Sequence, residues 1–277
     1  MSAAIEAFYL ASPRGARFCV VRRPPAGTAR GVIVHVPAFA EEMNKSRNMV
    51  ARQAETWAQA GWVVLQFDPR GCGDSEGELA EVVWNDWLDD VRDAHAWACA
   101  QGCGPVWLWG LRLGGLVAAT AVARDHLACG LLLWQPVTSG RQHLQQFLRA
   151  WKMAQVVGKG VRDGESPQQR LAAGEVVEVA GYEISPALAA ALDEAVLPAA
   201  PALAVGWCQV AAGGEPAAPL PAFERLRAQW ADAEVKVAYR AVSGPSFWQT
   251  QEIEVAPALI EASCSTLEAL SAVERVV

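Results

Sequence analysis

Residues 106–116 read VWLWGLRLGGL. An apolar run leads into Gly110-Leu-Arg-Leu-Gly114, and a second glycine opens a stretch of small, apolar residues. With serine at its centre, this spacing holds a nucleophile on a sharp strand-to-helix turn, its oxygen exposed above a sheet. Here the central residue is Arg112. A guanidinium stays protonated and donates hydrogen bonds without accepting them, so it cannot attack a carbonyl. It can hold a negative charge. Backbone N–H groups at a helix start favour an anion, and the planar fork of Arg112 matches a carboxylate or phosphate.

Other reactive residue types are sparse. The four histidines are His35, His95, His126 and His143. His35 lies inside a β-branched run and is expected in the core, and His95 falls within an amphipathic helix pattern. His126 follows a helix end, where a ring at the surface suits the local carbonyls. His143 sits near the start of a later helix, within reach of a cleft, with the surface as the default. Cysteines occur at 19, 72, 99, 103, 129, 208 and 264, with no C-x-x-C pair. Reduced, buried thiols are expected, and the His/Cys spacing supports no zinc site. The glycines of RGCGDSEG run into acidic residues and make a poor dinucleotide fingerprint. Asp74 and Ser75 are expected to bond the local backbone of that turn. Cys72 and Ser75 are conceivable substitute nucleophiles, but no histidine is obviously close. The adjacent Asp89 and Asp90 read as a solvated helix face. No cofactor and no metal are expected.

The elements that must position Arg112 alternate regularly. Strand-like runs at 8–12, 17–23, 31–37, 62–68, 106–109, 130–137, 202–210 and 234–242 are separated by helical patterns at 46–60, 84–100, 115–124 and 223–230, with a closing helix at 256–274. Near-continuous apolar strands such as GVIVHVP imply cover on both faces. Between about 139 and 200 the pattern changes. An amphipathic helix at 142–157 is followed by a Gly/Asp/Ser-rich connection, a hairpin-like GEVVEVAGYEIS and an Ala-rich helix at 186–195. The expectation is one α/β domain over 1–277: a mostly parallel, roughly eight-stranded sheet with helices on both faces, right-handed crossovers and a small cap-like insertion at about 139–200. Ligands in such sheets bind beyond the carboxyl ends of the strands.

Hydrophobic residues make up 52% of the 277-residue chain and charged residues 19%, so a large core is available. The net charge of −7 argues against a nucleic-acid or anionic-membrane partner. The N-terminus lacks a basic stretch followed by an apolar one, and no apolar run approaches bilayer length. A cytoplasmic protein without a membrane span is expected.

Two stretches resemble α/β-hydrolase proteins: FDPRGCGDSEG at 67–77 and WLWGLRLGG at 107–115. More narrowly, PAFAEEMNKSRNM (37–49), LLWQPVTSGRQHLQQFLR (132–149) and SGPSFWQTQEIEVAPALIEA (243–262) resemble the exosortase A system-associated hydrolase 2 family. The resemblance spans nearly the whole chain and implies a bacterial cytoplasmic protein encoded with machinery for protein sorting and exopolysaccharide production. It also implies a triad of nucleophile, histidine and acid. Arg112 occupies the nucleophile position, and Pro245 or Ser246 occupies that of the histidine. Glu215 is the candidate acid. Loss of one triad member costs several orders of magnitude in rate, so hydrolysis by the usual mechanism is not expected.

What remains by topology is a ligand pocket around Arg112 and Leu113, built from Phe39, Glu41, Glu42, Asn44, Lys45, Trp134, Gln135, Phe247, Trp248 and Glu252. Two readings of Arg112 stand side by side: it binds a ligand, or Glu41, Glu42 or Glu252 neutralises it internally. Most tryptophans, including Trp57, Trp84, Trp87 and Trp107, fit core-facing patterns, whereas Trp134 and Trp248 suggest a sugar platform. Three functions follow. One is a catalytically degenerate protein binding an anionic or carbohydrate-like small molecule, or a protein partner of the exosortase/exopolysaccharide system. The others are a hydrolase or acyltransferase with a nonstandard nucleophile, and a scaffold acting through its cap.

Overall fold

The computed structural model describes residues 3–25, 27, 29–157, 165–199, 202–212 and 218–271, with backbone only at 150–157. Eight strands form one sheet. They are β1 (Ala4–Leu10), β2 (Arg17–Arg23), β3 (Val32–Val36), β4 (Val63–Phe67), β5 (Val106–Leu111), β6 (Gly130–Trp134), β9 (Ala204–Ala211) and β10 (Lys236–Ser243). Their spatial order is β1-β2-β4-β3-β5-β6-β9-β10. β1 and β2 pair antiparallel, and β2 joins β4 antiparallel. All further pairings, from β4 across to β10, are parallel.

The parallel strands read as continuous apolar runs because both faces are covered. Val32, Val34 and Val36 of β3 pack on one side with α2 (Trp84–Ala100) and α3 (Leu113–Asp125). Ile33 packs on the other with α1 (Glu41–Gln59) and α8 (Pro257–Ser271). α7 (Pro221–Asp232) adds Phe223 and Trp230 to the first side. The cap comprises α4 (Gly140–Val157), α5 (Pro167–Ala172), the hairpin β7 (Val177–Val179) and β8 (Tyr182–Ile184), and α6 (Pro186–Glu194). Ser185 ties it to the body by donating its hydroxyl to the Val82 carbonyl at 2.8 Å.

Several boundaries differ from the sequence expectation, each for a physical reason. β1 starts and ends before its apolar run because register with β2, from Ala4↔Arg23 to Leu10↔Arg17, defines it. It is an edge strand and mostly exposed, so hydrophobic patterning says little about it. α1 starts five residues early, at Glu41 rather than 46. Glu41 and Glu42 in its first turn suit the positive end of the helix dipole. α5 falls outside the expected elements, although its Ser166–Gln169 capping box is visible in the sequence. Asp90 is not a solvated-face residue. It is 2% exposed and pairs with Arg17 at 2.5 Å. Of the seven free thiols, Cys19, Cys129 and Cys208 are buried as expected, but Cys99 is exposed.

Candidate functional site

Arg112 is the single residue between β5 and α3, with φ 52° and ψ −119°. A positive φ is strained for a side chain of this size and persists where the surroundings over-determine it. Those surroundings are visible. The Arg112 N–H donates to the Trp134 carbonyl at 3.0 Å, and its own carbonyl accepts from Gly115 and Val137, each at 3.1 Å. The glycines permit the close approach. A Cβ on Gly114 would lie 2.2 Å from the carbonyl oxygens of Val36 and Pro37, and one on Gly110 would lie 2.4 Å from Gly115 Cα. The sharp turn inferred from the glycine spacing is therefore present, with an arginine at its apex.

The side chain is held by an ion pair, a backbone carbonyl and a ring face. Arg112 Nε donates to both carboxylate oxygens of Glu42, at 3.2 and 3.3 Å, and Nη1 donates to the Gln135 carbonyl at 3.4 Å. Its guanidinium lies over the Trp248 ring, 5.6 Å from the centroid, within cation–π range. Only 13% of the Arg112 side chain and 17% of Glu42 is exposed. Burial raises the Glu42 carboxyl above its ordinary value, opposed by Arg112 and by a hydrogen bond with Gln249. Of the three carboxylates proposed to neutralise Arg112, Glu42 does so. Glu41 instead accepts from the Tyr182 hydroxyl at 3.1 Å, and Glu252 is exposed.

Beside this pair lies a cleft of about 190 Å³ between the head of α1 and the cap. Phe39, Ala40, Glu41 and Glu42 form its floor, His143, Gln146 and Phe147 of α4 its roof, with Ala180, Tyr182 and Gln249 at the sides. Three expected pocket residues, Phe39, Glu41 and Glu42, therefore do line a cleft. Asn44 and Lys45 sit on α1 nearby, donating to Tyr182 Oη at 2.8 Å and to the Gln249 carbonyl at 3.5 Å.

Other expected pocket residues belong elsewhere. Trp134 is fully buried and donates its indole N–H to Ser263 Oγ at 2.7 Å. Phe247 is wedged between Trp134 and Trp248, and Trp248 is 4% exposed. Neither tryptophan offers an open platform for a sugar. Gln135 uses its side-chain oxygen to accept from the Val210 N–H at 3.0 Å, closing the end of β9. Leu113 lines a small apolar cavity with Phe39, Cys72 and Trp87. Glu215 lies outside the described residues.

The chief omission is His143, expected at the surface but only 7% exposed. Burial, helped by Arg112, pushes its ring down to about 3, so it is neutral at ordinary pH. Both ring nitrogens are buried with no hydrogen-bond partner among the described residues. The i, i+4 spacing of His143 and Phe147 on an amphipathic cap helix was the available signal. His35 is likewise buried and pushed down to about 3, mainly by burial, and its Nδ1 lies 3.1 Å from the Trp109 carbonyl. His126 closes α3 in the left-handed conformation and is exposed, as a helix-end residue should be. Ser75 is engaged locally. Its hydroxyl donates to the Asp68 carbonyl and accepts from the Phe18 N–H at 2.9 Å. Cys72, half-buried, is pushed up to about 12, mainly by desolvation, so little of it is thiolate.

This sheet order, with a strained β5–α3 turn and a cap inserted after β6, defines an α/β-hydrolase fold. A family model described as serine aminopeptidase, S33, matches residues 27–175. That is more than half of the chain, and the chain belongs to this family. Among solved structures, it resembles Est1E from Butyrivibrio proteoclasticus bound to ferulic acid. The TM-score is 0.68 at 15% identity, covering 96% of this chain and 100% of that one. A thermostable carboxyl esterase from Bacillus coagulans in complex with glycerol gives 0.62 at 13% identity, covering 96% and 99%. At these identities the likeness is one of fold. Two Escherichia coli proteins, each described as an uncharacterized 31.7 kDa protein in the traX-finO intergenic region, are 35% identical over 75 residues. The match spans 26% of this chain and 26% of those proteins. No helix among the described residues is long and apolar enough to cross a membrane.

Proposed function

We propose that this chain is a catalytically degenerate hydrolase-fold protein that binds a small anionic or carbohydrate-like molecule in the cleft under its cap. One observation carries the reading. The apex of the nucleophile turn is a guanidinium held by Glu42 at 3.2 Å, where a hydrolase needs an attacking oxygen. The loop following β10 contains no histidine, and a base is the second requirement of that mechanism. The stretches at 37–49, 132–149 and 243–262 support a bacterial, cytoplasmic setting linked to exosortase-dependent sorting and exopolysaccharide production.

Family membership favours the competing reading, a hydrolase or acyltransferase with another nucleophile. Against it stands the chemistry of the two substitutes the sequence offers, since Cys72 is pushed up to about 12 and Ser75 is bound within its own turn. The test is direct. Purified protein is assayed with p-nitrophenyl acetate and butyrate and treated with a fluorophosphonate probe. Neither turnover nor labelling is expected. Saturable hydrolysis abolished by one substitution in the cleft would overturn the reading.

A further inference from the structure

The cleft beneath α4 carries information about its occupant that the Arg112–Glu42 pair does not use. Charge comes first. Glu41 and Glu42 line the cleft, and among the described residues no lysine or arginine does; Lys45 reaches only the Gln249 carbonyl at its side, at 3.5 Å. Arg112 is outside the lining and already engaged by Glu42. An anion placed here would face two carboxylates, while a cation would compete with Arg112 for Glu42.

Hydrogen bonding comes second. His143 is 7% exposed, lines the cleft and has two buried ring nitrogens without a partner among the described residues. Buried polar atoms are normally satisfied, so a ring beside a cleft with both nitrogens unpartnered calls for a polar partner that enters the cleft. A neutral imidazole offers one donor and one acceptor. A hydroxyl group satisfies either, because it both donates and accepts. Shape comes third. Phe39 and Phe147 pack against each other, centroids 5.0 Å apart and planes tilted by 58°, and the half-buried Phe147 gives the cleft an apolar wall. The cleft, about 190 Å³, is smaller than the roughly 300 Å³ at which drug-sized pockets begin.

We infer that the ligand is an uncharged polyhydroxylated ring, about one sugar or cyclitol unit, hydrogen-bonded by His143 and Glu42 and packed against Phe147. This rests on the ligand-binding reading above and decides between its two classes of ligand, against the anion. The chemistry is that of hydroxyls, so a monosaccharide and a cyclitol are equivalent at this level.

The experiment follows the His143 ring carbon and proton signals by NMR, assigned by their loss in His143→Phe. Full-length protein is titrated separately with methyl α-D-glucopyranoside, myo-inositol, sodium acetate and inorganic phosphate. At least one neutral polyol is expected to shift the signal saturably, with an affinity unchanged between low and moderate salt. His143→Phe should bind that polyol about tenfold more weakly by calorimetry, equivalent to one hydrogen bond of about 1.4 kcal/mol. His143→Asn, which keeps a donor and an acceptor, should recover part of the loss while melting at the wild-type temperature. A signal moved by acetate or phosphate and not by the polyols overturns the inference, as does a signal that none of the four moves. Failure of the underlying reading looks different, as fluorophosphonate labelling or ester turnover, whatever the NMR titrations give.

Discussion

Replacing Arg112 with methionine isolates the Arg112–Glu42 pair. Methionine keeps an unbranched apolar stem over Trp248 and removes the charge. At 3.2 Å, Coulomb's law with an effective dielectric of about 20 gives about 5 kcal/mol for the pair. Desolvation of the two groups offsets part of that attraction, leaving an expected loss of about 2 kcal/mol at pH 7. For a chain of this size each kcal/mol moves Tm by about 2–4 °C, so Tm should fall roughly 4–8 °C. The loss should also depend on pH. Burial already raises the Glu42 carboxyl, and Arg112 is the main opposing influence. Without Arg112 the folded-state pKa rises further above its unfolded value. A raised carboxyl contributes stability below the unfolded pKa and loses it as pH rises through the folded one. The deficit of Arg112→Met should therefore be small near pH 5 and full at pH 8. Thermal unfolding followed by circular dichroism at pH 5, 6, 7 and 8, beside wild type, reads both quantities. Arg112→Met combined with Glu42→Gln should abolish the pH dependence of the difference. A Tm deficit under 1 °C at pH 8, or one identical at pH 5 and pH 8, would refute the reasoning.

Arg112→Ser restores a hydroxyl to the turn but supplies no base, so p-nitrophenyl ester hydrolysis should stay at background; measurable kcat would show that a base is present. Gly114→Ala forces a methyl to within 2.2 Å of two backbone carbonyls, and overpacking of this kind costs about 1–3 kcal/mol or more. Urea unfolding should show that loss, and an unchanged midpoint would mean that α3 can shift away from β3. Asp90, buried against Arg17, is pushed up to about 6, mainly by burial. Its contribution to stability is therefore present below about pH 4 and lost as pH rises through 6. Asp90→Asn should flatten the corresponding slope of stability against pH between 4 and 7, and a slope equal to wild type would exclude Asp90 as its source.

The core strands were the most legible part of the fold. β3, β4, β5 and β6 are buried on both faces, so each leaves an apolar run whose length and position the eye can mark. α2 matches its expected bounds because Trp87, Leu88, Val91, Ala94 and Ala98 repeat at helical spacing. The head of α1 left no such mark. Its N-cap is Ala40, with a φ of 54° and no side-chain cap, so the only residue-type mark of a helix start is the acidic pair Glu41 and Glu42. Asp90 misled for a related reason. A carboxylate on an amphipathic helix reads as solvated until Arg17, 73 residues away, is brought against it. Trp134 and Trp248 were singled out because topology placed them around Arg112, yet neighbouring rings enclose both. The burial of His143 depends on how the cap closes over Phe39, which local patterning does not encode.

By itself the sequence determined the strand–helix order, the sharp turn at 110–115 and what the turn cannot do, because those follow from glycine spacing and from a side chain without a lone pair to donate. Only the tertiary structure decided which charge faces Arg112. Glu41 and Glu42 are adjacent and identical in chemistry, but consecutive residues on a helix point about 100° apart. That rotation sends Glu41 to Tyr182 of the cap and Glu42 to the guanidinium, and it leaves the cleft between them lined by carboxylates rather than by the arginine.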